Sequence, residues 1–152
     1  MSRFTVDSSF IVKGLVPVRR HKEDHLRAQQ QKEFEAASNF LMAIERGEHE
    51  MFVPAVTLVE VAAVLSRLTN TRDDAKAGVA FIRQNATRLY YDSDLLERAI
   101  EMAIAAKTGG YDTVFLTVAK MTNSTLLTAD RAQHGMAQAV GIKSVSLYEL
   151  VG

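Results

Sequence analysis

Five short apolar runs, each separated from the next by longer stretches of helical periodicity, limit the architectures open to this chain more than any other feature. The runs are Arg3–Val6, Met51–Val53, Leu89–Tyr91, Thr125–Thr128 and Lys143–Leu147. Between them, apolar residues recur at helical spacing: Phe10, Ile11 and Leu15; Phe34, Ala37, Phe40, Leu41 and Ile44; Leu95, Ala99, Met102 and Ala103. Helices are therefore expected over Glu23–Arg46, over 56–70, over Asp73–Asn85, over Asp94–Lys107, after Asp112 and over Arg131–Val140. A brief helix starts at Ser8 and stops near Pro17, and Gly47 and Gly141 close two of the others. Strands alternating with helices predict a parallel sheet with helices on both faces, a small α/β sandwich. No linker or internal repeat divides the chain, so residues 1–152 are expected to form a single domain.

The topology matters because the loops after the carboxyl ends of parallel strands share one edge, where ligands bind. Asp7 follows the first run and Asp130 the fourth. Asp112 opens the helix that leads into the fourth run, and Glu60 lies early in the helix after the second. Each acid has an ordinary reading. Asp7, Asp112 and Asp130 could be helix N-caps, worth about 1 kcal/mol each. Glu60 could close a capping box with Thr57. Its helical neighbours Val56, Ala63 and Val64 are apolar, however, and a carboxylate on such a face needs a partner, a proton or a metal.

Taken together, the four acids are expected to meet at one edge. They would repel one another there unless a cation neutralised them. An all-oxygen set without His or Cys selects a hard ion, Mg²⁺ or Mn²⁺, and suits metal-assisted hydrolysis of a phosphodiester.

Charge and composition narrow the partners. Eighteen basic and eighteen acidic residues cancel, so a polynucleotide would need a local basic patch. One candidate is Lys13, Arg19, Arg20, His21 and Lys22, which reads equally as solvated surface. The chain has no Cys, which removes disulfides, thiolate nucleophiles and thiolate-bound zinc and fits the cytoplasm. Asp7 and Lys13 interrupt any leader-like core, and no run is long enough for a membrane span. Neither G-x-x-x-x-G-K-[ST] nor G-x-G-x-x-G occurs. A phosphotransfer receiver would want an acid pair after the first strand, and a haloacid-dehalogenase-type phosphatase Asp-x-Asp there; Asp7-Ser8-Ser9 fits neither.

The segments FTVDSS, TLVEVAAVLSR and YDTVFLTVAKMTNSTLLTAD, in this order and spacing, resemble the PIN-domain family, and within it the VapC-like toxins of bacterial and archaeal toxin–antitoxin pairs. The resemblance covers essentially the whole chain. It implies a three-layer sandwich around a five-stranded parallel sheet and an Mg²⁺- or Mn²⁺-dependent endoribonuclease that leaves a 5′ phosphate. It further implies that Asp7, Glu60, Asp112 and Asp130 line the metal site. Asp7 and Asp112 would be direct ligands, while Glu60 and Asp130 would orient water or complete the shell. Thr128 would hold the last carboxylate, and Ser8 would do the same for Asp7. Homodimers and a VapB-like antitoxin whose C-terminal segment fills the acidic groove are implied as partners. Thr113, where many members carry a small residue, and Arg131-Ala132-Gln133, where some carry a further acid, depart from the pattern. The reading from another class is a PIN fold used as a binding or assembly module with little turnover.

Overall fold

The computed structural model describes all residues, 1–152. Strands β1 (Ser2–Val6), β2 (His49–Pro54), β3 (Arg88–Tyr90), β4 (Thr125–Thr128) and β5 (Ser144–Ser146) form one sheet in the order β3-β2-β1-β4-β5. Every pairing is parallel. The helices are α1 (Ser8–Leu15), α2 (His25–Glu45), α3 (Val56–Thr69), α4 (Arg72–Asn85), α5 (Asp92–Ala106), α6 (Gly110–Thr122), α7 (Arg131–Ala139) and α8 (Leu147–Leu150). The five expected strands are all present, and α8 is an addition. It is a single turn started by a capping box, in which the Ser146 side chain and Glu149 serve each other's backbone amides. None of the helices is long and apolar enough to cross a membrane.

Alternation along the strands sends side chains to two separate cores. Val6, Met51, Val53 and Leu127 pack on the side of α1–α4 and α8, with Phe10, Leu41, Val61 and Ile82. On the other side, Leu126 joins Met102, Phe115 and Leu116, and Phe52 joins Leu95 and Val118. The central strands therefore bury residues on both faces toward their carboxyl ends, which is why they read as short runs rather than as alternating strands.

Sheet order fixes where a ligand can sit. From β1 the chain moves outward through β2 to β3, then crosses back to place β4 on the other side of β1. The carboxyl ends of β1 and β4 flank that reversal, the place where open α/β sheets leave a crevice. Asn123, in the left-handed region at φ 49°, ends α6 and turns the chain directly into β4.

α1 is held close against α2 by Gly14. A Cβ at that position would lie 2.5 Å from Leu41 Cδ1 and 3.0 Å from the carbonyl carbon and oxygen of Ala37. Gly14→Ala gains about 1 kcal/mol of helix propensity but overpacks a backbone contact at a cost of about 1–3 kcal/mol. A lower melting temperature is expected, with the shift confirmed by denaturant titration. An unchanged midpoint would show that α1 and α2 can separate freely.

Candidate active site

Asp7 is the N-cap of α1 and one of the most enclosed charged groups in the protein, only 4% exposed. Its Oδ1 accepts from the Phe10 amide (3.1 Å) and from Ser9 Oγ (2.6 Å), and its Oδ2 accepts from Thr128 Oγ1. Burial raises its pKa from 3.8 to about 6; the hydrogen bonds from Ser9, Thr128 and Phe10 hold it down against that, and Asp130 pushes it up further. The sheet explains Thr128. Val6 pairs with Leu127 and the Asp7 amide donates to the Leu127 carbonyl (3.0 Å), so the next residues along both strands, Asp7 and Thr128, are neighbours.

Two hydroxyl assignments from the sequence therefore change. Thr128 holds the first acid rather than the last, although it accepts a bond from the Asp130 amide (2.9 Å). Ser9, not Ser8, holds Asp7; Ser8 Oγ instead donates to Glu60 Oε1 (3.2 Å). Successive residues at a helix start face about 100° apart, which sends Ser8 toward α3 and Ser9 back over Asp7. Glu60 is not part of a capping box, since α3 begins after Ala55 with no side-chain cap. Its pKa is raised chiefly by burial, with Asp7 and Asp112 adding repulsion against the bond from Ser8.

Asp112 lies in the first turn of α6, which starts at Gly110, so it is not the N-cap. The positive end of the helix dipole still favours a carboxylate there. Its side chain makes no hydrogen bond to protein, and its pKa is raised by partial burial and by Asp130. Asp130 does cap α7, its Oδ1 accepting from the amides of Ala132 (2.9 Å) and Gln133 (3.2 Å).

The four acids thus feel one another in a closed circuit: Asp7 with Asp130, Glu60 with Asp7 and Asp112, and Asp112 with Asp130. They do not stand in one ligand sphere. No three acidic or imidazole side chains are close enough together to hold an ion as they are oriented. Several oxygens are nevertheless free of protein hydrogen bonds: both of Asp112, Oδ2 of Asp130 and Oε2 of Glu60. The donor set is all carboxylate, the chemistry that suits a hard divalent ion, and the burial that raises the pKa of Asp7, Glu60 and Asp112 is a cost that a bound cation would offset.

One participant left no signal in the sequence. Gln133 is 1% exposed; its backbone amide donates to Asp130 and its Nε2 to the Asp112 carbonyl (3.0 Å), while Oε1 has no partner. A single residue of α7 therefore ties the start of α6 to the fourth acid. Gln133→Leu keeps the volume and removes the tie. Metal affinity measured by calorimetry is expected to fall roughly 10-fold, the lower range for residues that position metal ligands. Parental affinity in a folded variant would make the tie irrelevant to the acids.

No curated protein matches the chain in sequence. Similar solved structures include VapBC2 from Rickettsia felis bound to a DNA fragment from their promoter, at TM-score 0.63 and 10% identity, covering 95% of this chain and 98% of that one. FitAB bound to an IR36 DNA fragment aligns at TM-score 0.64 and 15% identity, with 95% of each chain covered. FitAcB from Neisseria gonorrhoeae aligns at 0.57 and 14%, covering 95% of this chain and 98% of that one. At such identities these likenesses establish the fold. The PIN-domain family profile matches residues 5–139, a span that takes in all four acids, and the chain belongs to the PIN-domain family.

Proposed function

We propose that this protein is a divalent-metal-dependent endoribonuclease and the toxin of a VapBC-type toxin–antitoxin pair. The observation that carries the reading is that the four acids stand around the crevice beside β1 and β4 and are tied there by shared partners: Thr128 bonds the Asp7 carboxylate and the Asp130 amide, Gln133 bonds Asp130 and the Asp112 carbonyl, and Ser8, next to Asp7, holds Glu60. Membership in a family of nuclease-type domains supports it. Asp7 and Asp112 would hold Mg²⁺ or Mn²⁺, and Glu60 and Asp130 would complete the shell and orient the attacking water. When bound, such an ion polarises the phosphoryl oxygen and lowers the pKa of a coordinated water. The protein's own part is to keep Asp7 fixed by three hydrogen bonds and to place Glu60, whose raised pKa suits it to take a proton from water. Attack at phosphorus breaks the bond to the 3′ oxygen and leaves a 5′ phosphate.

An antitoxin partner is supported by the likeness to chains in the VapBC2 and FitAB complexes. Homodimerisation has its own observation. Leu96, Ile100 and Ile104 recur every four residues along α5 and are 58%, 45% and 67% exposed, an apolar stripe of the kind that pairs with its own copy. The second reading, a PIN-fold binding module with little turnover, draws on the orientation of the acids outside a single ligand sphere.

Incubation of the protein with a mixed single-stranded RNA, with Mg²⁺ or Mn²⁺ and with EDTA, separates the two readings. Cleavage that stops with chelator is expected, with 5′-phosphorylated products. Cleavage indifferent to chelator defeats the metal assignment, and tight RNA binding without cleavage in either ion favours the module.

A further inference from the structure

A notch of about 430 Å³ opens at the edge of the sheet opposite the four acids, where β1, β4 and β5 begin. All strands run parallel, so the two edges are separated by the length of the strands, about 17 Å for the five residues of β1. α6 and α7 run back from the acid edge and end here, each by the same device. Asn123 (φ 49°) and Gly141 (φ 78°) take the left-handed conformation. The Asn123 and Ser124 amides then donate to the Lys120 (3.3 Å) and Ala119 (3.0 Å) carbonyls, and the Gly141 and Ile142 amides to those of Gln138 (3.1 Å) and Ala137 (2.9 Å). The Lys143 carbonyl accepts from the Leu126 amide (2.8 Å). Behind them the Thr122 hydroxyl donates to the Val118 carbonyl, Ser124 to Thr122 and Thr5 to Ser124, each at 2.7 Å, so these buried hydroxyls are spent on the frame itself.

The charged residues of this notch are all cations. Arg3, Lys120 and Lys143 line it and no carboxylate does. Lys120 and Lys143 are exposed and have no ion-pair partner. The Arg3 guanidinium lies over the Phe52 ring (4.9 Å), with Glu50 at 3.9 Å from its Nε. Ser2 and Asn123 add exposed hydrogen-bond donors to the lining. The ends of α6 and α7 bring about half a negative charge apiece, less than the three side chains supply, so the notch stays positive. It is also bounded. Glu50 of β2 stands beside Arg3, and beyond Lys120 a neighbouring cavity holds Glu97 and Glu101.

We infer that this notch binds the phosphate group of a small phosphorylated ligand, held by Arg3, Lys120 and Lys143. The inference goes beyond the nuclease reading and does not depend on it. A phosphate monoester carries about 1.5–2 negative charges at neutral pH and three free oxygens, which suit three separate cations better than the single charge of a carboxylate does. Arginine offers a planar fork and lysine a point charge, and both pair with phosphate. The volume lies toward the lower end of the about 300–1,000 Å³ common for formed ligand sites, which favours a small molecule. The bounding carboxylates disfavour a polynucleotide. A strand leaving the notch would carry its next phosphate onto Glu50 on one side, or onto Glu97 and Glu101 on the other.

Titration of the isotope-labelled protein, followed by amide chemical shifts in EDTA so that no metal recruits phosphate to the acids, tests the assignment. Sodium phosphate, adenosine 5′-monophosphate and adenosine are added separately, with sodium chloride at matched ionic strength as the reference. Saturable shifts are expected at Lys120, Asn123 and Lys143 with the two phosphates, and not with adenosine or chloride. Equal affinities mean that the phosphate alone is recognised, and tighter binding of the nucleotide means that the apolar lining at Ala119 and Ile142 also carries the base. The double variant Lys120→Ala with Lys143→Ala is expected to bind about 10-fold more weakly or worse, and Lys120→Arg with Lys143→Arg to stay within about threefold of the parent. Lys76→Ala with Arg83→Ala, exposed cations of α4 that do not border the notch, should change affinity less than about twofold. Absent or unsaturable shifts with both phosphates, shifts matched by chloride, or equal losses in the α4 and notch variants overturn the inference. So does a single-stranded RNA that shifts the notch where neither small phosphate does, since the cations would then belong to a polynucleotide track.

Discussion

Asp112→Asn is expected to remove RNA cleavage almost entirely while leaving the fold intact. Residues that only position metal ligands are worth roughly 10–100-fold, so loss of a direct ligand should reach the upper end of that range or exceed it. Asp112 separates chemistry from stability better than the other acids do. Its side chain makes no hydrogen bond to protein, and its pKa is raised by partial burial at the rim of the site and by Asp130. The Asn side chain gives up a favourable placement at the start of α6 but is relieved of that repulsion, two effects of opposite sign and each below about 1 kcal/mol. Thermal unfolding should therefore move little. Gel-resolved cleavage in Mg²⁺, read beside a melting curve, checks both halves. A folded variant that cuts RNA at the parental rate would take Asp112 out of the site and break the circuit of acids on which the nuclease reading stands.

The route from sequence to this site shows which kinds of information a chain carries on its surface. Strand runs such as Thr125–Thr128 were legible because a strand buried on both faces carries no charge and keeps adjacent apolar residues, here Leu126 and Leu127, flanked by β-branched Thr. The edge shared by the four acids was legible because parallel strands force their following loops to one side. Pairing between strands was not. Thr128 is two residues from Asp130 in sequence, yet its hydroxyl serves Asp7, because β4 lies beside β1, a strand far from it in sequence. The role expected of Ser8 falls to Ser9 for a related reason: a helix start turns adjacent side chains toward different elements, and only the position of α3 decides which one meets Glu60. Gln133 stayed invisible because a polar residue inside an amphipathic helix reads as solvent-facing, and nothing local says that α7 is laid across the start of α6. The α8 turn was readable in Ser146-Leu147-Tyr148-Glu149, which carries the spacing of a capping box, but it is too short for periodicity to reveal.

The second large effect has the opposite character: Asp7→Asn is expected to abolish cleavage and to make the metal-free protein more stable. Burial raises the Asp7 pKa from 3.8 to about 6, so the folded state binds a proton that the unfolded chain has already released over that interval. Below about pH 4 both states are protonated and Asp7 costs nothing. As the pH rises from about 4 to 6 the unfolded state ionises first, and stability falls until the folded carboxyl ionises as well. The difference amounts to about 3 kcal/mol, and above pH 6 the parent carries that penalty in full. Asparagine keeps the Oδ1 acceptor used by Phe10 and Ser9, and turns an N–H toward Thr128, so most of the local bonding survives. At pH 7.5 in EDTA the variant should melt about 6–12 °C above the parent for a chain of this size. The gap should close as the buffer is brought down toward pH 4. Saturating Mg²⁺ should raise the parent's melting temperature and leave the variant's nearly unchanged, because only the parent has a charge there for a cation to neutralise. A variant less stable than the parent at pH 7.5, or one that gains as much from Mg²⁺, would mean that Asp7 is retained for the fold through its hydrogen bonds and is not held against its own burial for the sake of an ion.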